Sequence, residues 1–242
     1  MVRTEYHQQL ATLRANVLEI GGLAVTALQR AIGALQEGDS VAAGAIIAAD
    51  AAIDERHALV QQDGVTTLAT QQPTAGDLRS VMAALSIAGE LERVGDYAAG
   101  IAALVLRTPD EPSLPAFDDV YQMARTACGM LERSIGAYEN RDAALARYIW
   151  NEDIAVDAYQ RVLYRTLLAW MVENPSTLTR ATHLLWTIHK LERVADRATN
   201  VCEQVIFMTE GYWPDFRSLP ARAERGIAAG QREEDRPREG GS

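Results

Sequence analysis

Four pairs of carboxylates stand out by their spacing: Asp50 with Asp54, Glu92 with Asp96, Asp153 with Asp157, and Glu192 with Asp196. Residues four apart share one face of a helix, one turn apart. If the segments carrying the first two pairs are antiparallel neighbours, four carboxylates form an oxygen-rich patch. Such a patch suits a hard or borderline cation. The last two pairs would form its twin. Three readings stay open: a solvated acidic face, metal ligation, and a charged surface that docks a partner. With 33 acids among 242 residues, about four or five such spacings arise by chance, so one pair alone carries no information. Recurrence at matching places in both halves of the chain is what chance does not supply. A like-charge pair costs an exposed helix about 0.2–0.5 kcal/mol. Arg93 and Arg193, each following its Glu directly, offer local compensation and are candidate partner contacts.

The remaining polar residues carry less chemistry. His57, three after Asp54, could join a metal set, though a histidine on a helix surface has the simpler explanation. His183 and His189 lie six apart, share no helix face well and read as structural. No Glu-x-x-His pair occurs, which argues against a di-iron carboxylate enzyme of the ferritin-like kind. No nucleophile stands near a plausible base, and Gly21-Gly22 lacks the pattern of a phosphate loop. Trp150, Trp170 and Trp186 fall inside helical patterns and are expected in the core. A catalytic apparatus is not expected.

The elements that must position the acids are helices. Leu10, Leu13, Val17, Ile20, Ala24, Leu28, Ala31 and Leu35 step by three or four along a first helix, which Gly38-Asp39-Ser40 ends. A second runs from about Val41 to Gln71 with Ile46, Ile53, Val60 and Leu68 inward, and Pro73 closes it. Thr74, with Asp77 three residues on, resembles a helix-starting box. The third helix carries Leu78, Met82, Leu85, Leu91, Ala98, Ile101 and Val105 on its inner side. A fourth is striped by Phe117, Val120, Ala124, Ala127, Leu131, Ile135 and Tyr138. Asn140-Arg141-Asp142 separates it from a fifth, and Asn174-Pro175-Ser176 separates that from a sixth reaching Thr209.

Three prolines between Pro109 and Pro115 read as a semi-rigid connector between two like halves. Leu91-Glu92-Arg93-Val94-Gly95-Asp96-Tyr97-Ala98 returns 100 residues later as Leu191-Glu192-Arg193-Val194-Ala195-Asp196-Arg197-Ala198. Asp50 to Asp54 returns 103 residues later as Asp153 to Asp157. The expected fold is therefore all-α, two homologous three-helix bundles in tandem: residues 1–108, a linker over 109–115, and residues 116–213. Residues 214–242, rich in Gly, Arg and Glu without periodicity, read as a disordered tail.

Composition bounds the partners. The formal net charge of −10 disfavours nucleic acid and anionic lipid, and no basic patch overrides it. The N-terminal residues lack the apolar core of a secretory signal, and no membrane span is expected. Two cysteines, Cys128 and Cys202, are too few for a zinc-thiolate module and suit a reducing cytosol.

Two three-helix units, each closing on a Leu-Glu-Arg-Val-x-Asp helix, resemble the PhoU family of phosphate-signalling regulators. Pro73-Thr74-Ala75-Gly76-Asp77-Leu78-Arg79 and Ala88-Gly89-Glu90 extend the likeness in the first half, and Thr199-Asn200 with Glu210-Gly211 extend it in the second. It spans about residues 3 to 213. The resemblance implies a cytoplasmic, non-catalytic helical protein that represses the phosphate-starvation response when phosphate is plentiful. It implies a sensor histidine kinase and a phosphate ABC transporter ATPase as partners, and a homodimer. It also implies a divalent ion or an iron or zinc cluster at Asp50, Asp54, Glu92 and Asp96 and at Asp153, Asp157, Glu192 and Asp196. No cofactor is expected to be needed for the fold. Two departures stand out: Gly100 where the family has Asn, and Arg197 where His is common. The cation beside Asp196 weighs against metal in the second half more than in the first. Other readings are a passive accessory subunit of a different phosphate permease and a carboxylate-bridged metalloenzyme.

Overall fold

The computed structural model describes residues 2–107 and 117–214. Both the connector expected over 109–115 and the tail expected from 214 onward, apart from Pro214, lie outside the described residues. Among those described there are six long helices and no strand. They are α1 (Val2–Glu37), α2 (Ser40–Gln71), α3 (Ala75–Val105), α4 (Phe117–Asn140), α5 (Ala143–Glu173) and α6 (Leu178–Glu210), with a short 3-10 turn at Pro175–Thr177. The expectation of two tandem three-helix repeats holds. Helices α1, α2 and α3 pack on one another, as do α4, α5 and α6. The repeats then join along α3 against α6 and along α1 against α4, and the described helices lie in one compact unit that ends at Tyr212.

Local sequence sets the helix ends. The Asp39 carboxylate accepts from the backbone N–H of Val41 and Ala42 at the start of α2, and Asp142 accepts from Leu145 N–H at the start of α5. Gly38 and Gly211 take left-handed backbone conformations that stop α1 and α6. Thr74 stands at the cap position of α3, but its side chain makes no capping bond. Asp77 instead accepts the Tyr6 hydroxyl of α1 at 2.9 Å. The box expected there is thus half replaced by a tie between helices.

The core follows the helical stripes with local shifts. Leu13, Val17, Ile20, Ala24, Leu28 and Ala31 of α1 are buried. This helix is long and apolar enough to cross a membrane by length and composition alone, a property the sequence reading did not register. Its apolar stripe lies inside the bundle against α2, α3 and α4. On α3 the first two turns differ from expectation. Leu78 and Met82 face outward, while Val81, Ala84 and Ala88 lead the buried stripe into Leu91. Small residues let α3 approach α1 and α2 closely, so alanines rather than the larger side chains occupy the inner face. On α2, Thr67 takes the buried position expected for Leu68, and its hydroxyl returns to the Asp63 carbonyl. Trp150 is core, Trp170 is half-buried, and Trp186 is exposed beside His183.

Candidate functional site

The repeated Leu-Glu-Arg-Val-x-Asp segment divides its labour by face. Leu91, Val94 and Ala98 on α3 are fully buried, as are Leu191, Val194 and Ala198 on α6. The acids between them fall on the flank toward α2 or α5. In the first repeat, Ile53 is buried between Asp50 and Asp54 and anchors that turn of α2 against α3. Gly95 makes the approach possible. A methyl group there would lie 2.8 Å from Asp50 Oδ1 and 2.8 Å from Ile53 Cδ1.

The four first-repeat acids act on one another electrostatically. Burial raises the Asp50 carboxyl above its ordinary range, and Asp54, Asp96 and Glu92 push it the same way. Glu92 is raised by burial and by Asp96, while His57 pulls it down. His57 therefore faces this patch from α2. Its Nε2 lies 3.0 Å from Gln61 Nε2, and the Gln61 amide also donates to the Leu85 carbonyl of α3.

The second repeat gathers its acids more deeply. Asp153 is only 4% exposed. Burial lifts Glu192 to about 7, with Asp196, Asp157 and Asp153 adding to the rise and Arg193 opposing it. Arg197 was expected to weigh on Asp196. Its Nη1 instead donates to Glu90 of α3 at 2.9 Å, so this cation has an acid of its own in the other repeat.

In each half the four acids thus influence one another electrostatically. Their donor chemistry, carboxylate oxygens with His57 beside the first set, fits an oxygen-seeking cation. The side chains as placed are not converged on one point. Among the described residues no group of three or more His, Cys, Asp or Glu is close enough to hold a metal ion.

Arg93 and Arg193 are both exposed. Each lowers its neighbouring Glu electrostatically, which is the compensation the sequence suggests. Arg193 also donates Nε to His189 Nε2 at 3.1 Å and bonds Tyr97 of α3, which raises its own pKa.

Sequence reasoning missed the seam between the repeats. Glu90 on α3 accepts from Arg197 Nη1 and, at 3.1 Å, from Asn200 Nδ2, both on α6. The offset of 100 maps these three residues onto Lys190, Tyr97 and Gly100. There Lys190 sits over the Tyr97 ring, 6.0 Å from its centroid, and its ammonium fills the space that a side chain at Gly100 would need. The signal was present: the offset that pairs the acidic motifs also pairs an acid at 90 with a base at 190.

The tandem architecture has a direct counterpart among known proteins. The PhoU domain model matches residues 17–105 and matches again over residues 120–205. The chain belongs to the PhoU family. A Xylella fastidiosa relative described as "Phosphate-specific transport system accessory protein PhoU homolog" is 33% identical over 206 residues, covering 85% of this chain and 87% of that one. A Caulobacter vibrioides relative of the same description is 34% identical over 208 residues, covering 85% and 90%. The crystal structure of PhoU from Pseudomonas aeruginosa superposes with a TM-score of 0.83 at 28% identity, covering 86% of this chain and all of that one. The phosphate transport system regulatory protein PhoU from Streptococcus pneumoniae gives 0.82 at 28%, covering 87% and all of its chain. Both PhoU domains, and hence both acidic sets, fall inside the matched residues.

Proposed function

We propose that this chain is a cytoplasmic, non-catalytic regulator of phosphate uptake and phosphate-starvation signalling. It represses the response when phosphate is plentiful by binding a sensor histidine kinase, the ATPase of a phosphate ABC transporter, or both. The observation that carries this reading is the near full-length relationship to proteins described as accessory to, or regulatory of, phosphate transport. A binding protein acts by differential affinity for its partner's states, so what it needs is a surface rather than a nucleophile.

The acidic sets are that surface in this reading. Asp50, Asp54, Glu92 and Asp96, and Asp153, Asp157, Glu192 and Asp196, are held on α2/α3 and α5/α6 by buried Ile53 and Val156. A divalent ion, or an iron or zinc cluster, bound there would supply positive charge that relieves the mutual repulsion. The residues' own part is to hold the carboxylates facing one another, with His57 beside the first set. Homodimer formation is supported by Tyr164, Leu168 and Val172, exposed apolar residues at four-residue spacing on α5.

The test is retention of the kinase's cytoplasmic portion and of the transporter ATPase by the purified full chain. Wild type is expected to retain at least one, and the Glu92→Ala/Asp96→Ala variant to lose it while keeping its helicity. Equal retention by the two would remove these acids from the contact.

A further inference from the structure

We infer that the end of the bundle where α1, α3, α4 and α6 meet is a binding site for one tetrahedral oxyanion, free phosphate or sulfate. A cavity of about 40 Å³ there is lined by Arg14, Ser80, Tyr138 and Arg141, with Leu13 and Met208 among the apolar residues behind them. One ordered water needs about 10–15 Å³. The space therefore exceeds a water and approaches that of a small oxyanion, and a bulkier group would extend out of it into solvent.

The lining is cationic where the molecule as a whole is not. The chain has a net charge of −10, yet neither Arg14 nor Arg141 forms an ion pair with a carboxylate among the described residues. Arg14 donates Nη2 to the Glu139 carbonyl oxygen, and Arg141 donates Nη2 to Ser80 Oγ at 3.1 Å. Glu139, two residues before Arg141, is exposed and its carboxylate pairs with neither arginine, and two other acids near the lining are engaged elsewhere. Asp142 caps α5 and Asp77 accepts the Tyr6 hydroxyl. Both residues are exposed, and their two guanidinium groups at one cavity mouth offer N–H donors suited to phosphate or sulfate oxygens.

Tyr138 supplies an independent observation. The residue is 4% exposed and lines the cavity, and its hydroxyl has no hydrogen-bond partner among the described residues. Its ring is packed in the core while the hydroxyl oxygen keeps contact with solvent, so the O–H is free to donate into the cavity. An anion in the cavity accepts that O–H. Backbone geometry agrees: Arg141 takes φ 53°, a left-handed conformation uncommon for a residue with a side chain, in the turn that delivers its guanidinium to Ser80. The site uses none of the acidic sets and is measured on purified protein, so it stands or falls separately from the regulatory reading.

Calorimetric titration of the full chain at constant ionic strength tests it, with inorganic phosphate, sulfate and phosphoserine as probes and chloride as the balancing anion. Wild type is expected to bind phosphate or sulfate saturably at one site per chain and to exclude phosphoserine. Arg14→Gln/Arg141→Gln is expected to weaken binding at least tenfold, and Tyr138→Phe, which preserves the packing, several-fold with unchanged helicity. Absence of saturation into the tens of millimolar, or affinity unaltered in both variants, overturns the site. Phosphoserine bound as tightly as phosphate overturns its assignment to a free anion.

Discussion

Glu90 on α3 and Arg197 on α6 form an ion pair of 2.9 Å that ties one repeat to the other, and Asn200 adds a second donor to the same carboxylate oxygen. The pair is only 14% and 18% exposed, so it is less screened than a surface pair. At the position related by the repeat, Lys190 over Tyr97 occupies the seam instead. The duplicated helices thus make the same contact twice with different chemistry, once as an ion pair and once as a cation over a ring. That divergence explains both departures noted in the sequence. Arg197 serves Glu90, and Gly100 leaves room for Lys190.

Truncating the carboxylate strands a half-buried guanidinium. Glu90→Ala is expected to destabilise the chain by about 1–3 kcal/mol, less than the loss from breaking a fully buried pair. The Glu90→Ala/Arg197→Ala double variant should cost less than the sum of the two single changes. Urea unfolding of the four proteins gives the coupling directly, and additive losses would mean that the pair contributes nothing.

Two glycines on α3 should respond oppositely to a methyl group. Gly100→Ala meets only the flexible end of Lys190 and should gain up to about 1 kcal/mol from helix propensity. Gly95→Ala meets buried Ile53 and the Asp50 carboxylate, and overpacking of this kind costs about 1–3 kcal/mol. The second repeat has Ala195 opposite the smaller Val156. Adding Ile53→Val to Gly95→Ala is accordingly expected to restore much of the loss in thermal unfolding.

Glu192 gives a pH signature of defined sign. Its folded-state carboxyl is raised from 4.5 to about 7, so the folded chain holds this proton more tightly than the unfolded chain does. The cost of ionising it is absent below the unfolded value and complete above the folded one. Its contribution therefore falls as pH rises between them. Glu192→Gln removes that cost and should stabilise the chain by about 1–3 kcal/mol at pH 8, with the gain vanishing near pH 4. Melting temperatures across that range check it. If metal binds the second acidic set, a divalent salt at pH 8 should stabilise wild type more than the variant.

Much of this was legible from one sequence. The stripe from Leu13 to Ala31, the break at Gly38 and the 100-residue recurrence were enough to give the helices and their duplication. The acids were legible as sets because i, i+4 spacing dictates a shared face, and within each set they act on one another electrostatically. Depth was not legible. Asp153 is buried while its counterpart Asp50 is only half-buried, although spacing treats them alike. The inner face of α3 near Leu78 and Met82 was also misread. Hydrophobicity marks the large side chains, whereas close helix packing selected Val81, Ala84 and Ala88. The Glu90 seam depends on which helices of different repeats touch, which periodicity within one helix does not encode.

The regulatory account is tested most directly by alkaline phosphatase activity in phosphate-replete cells lacking this chain, with and without a wild-type copy restored. The account predicts high activity despite ample phosphate, returning to the repressed level on complementation. Activity that stays repressed in the deleted cells, with no second PhoU chain present, would contradict it.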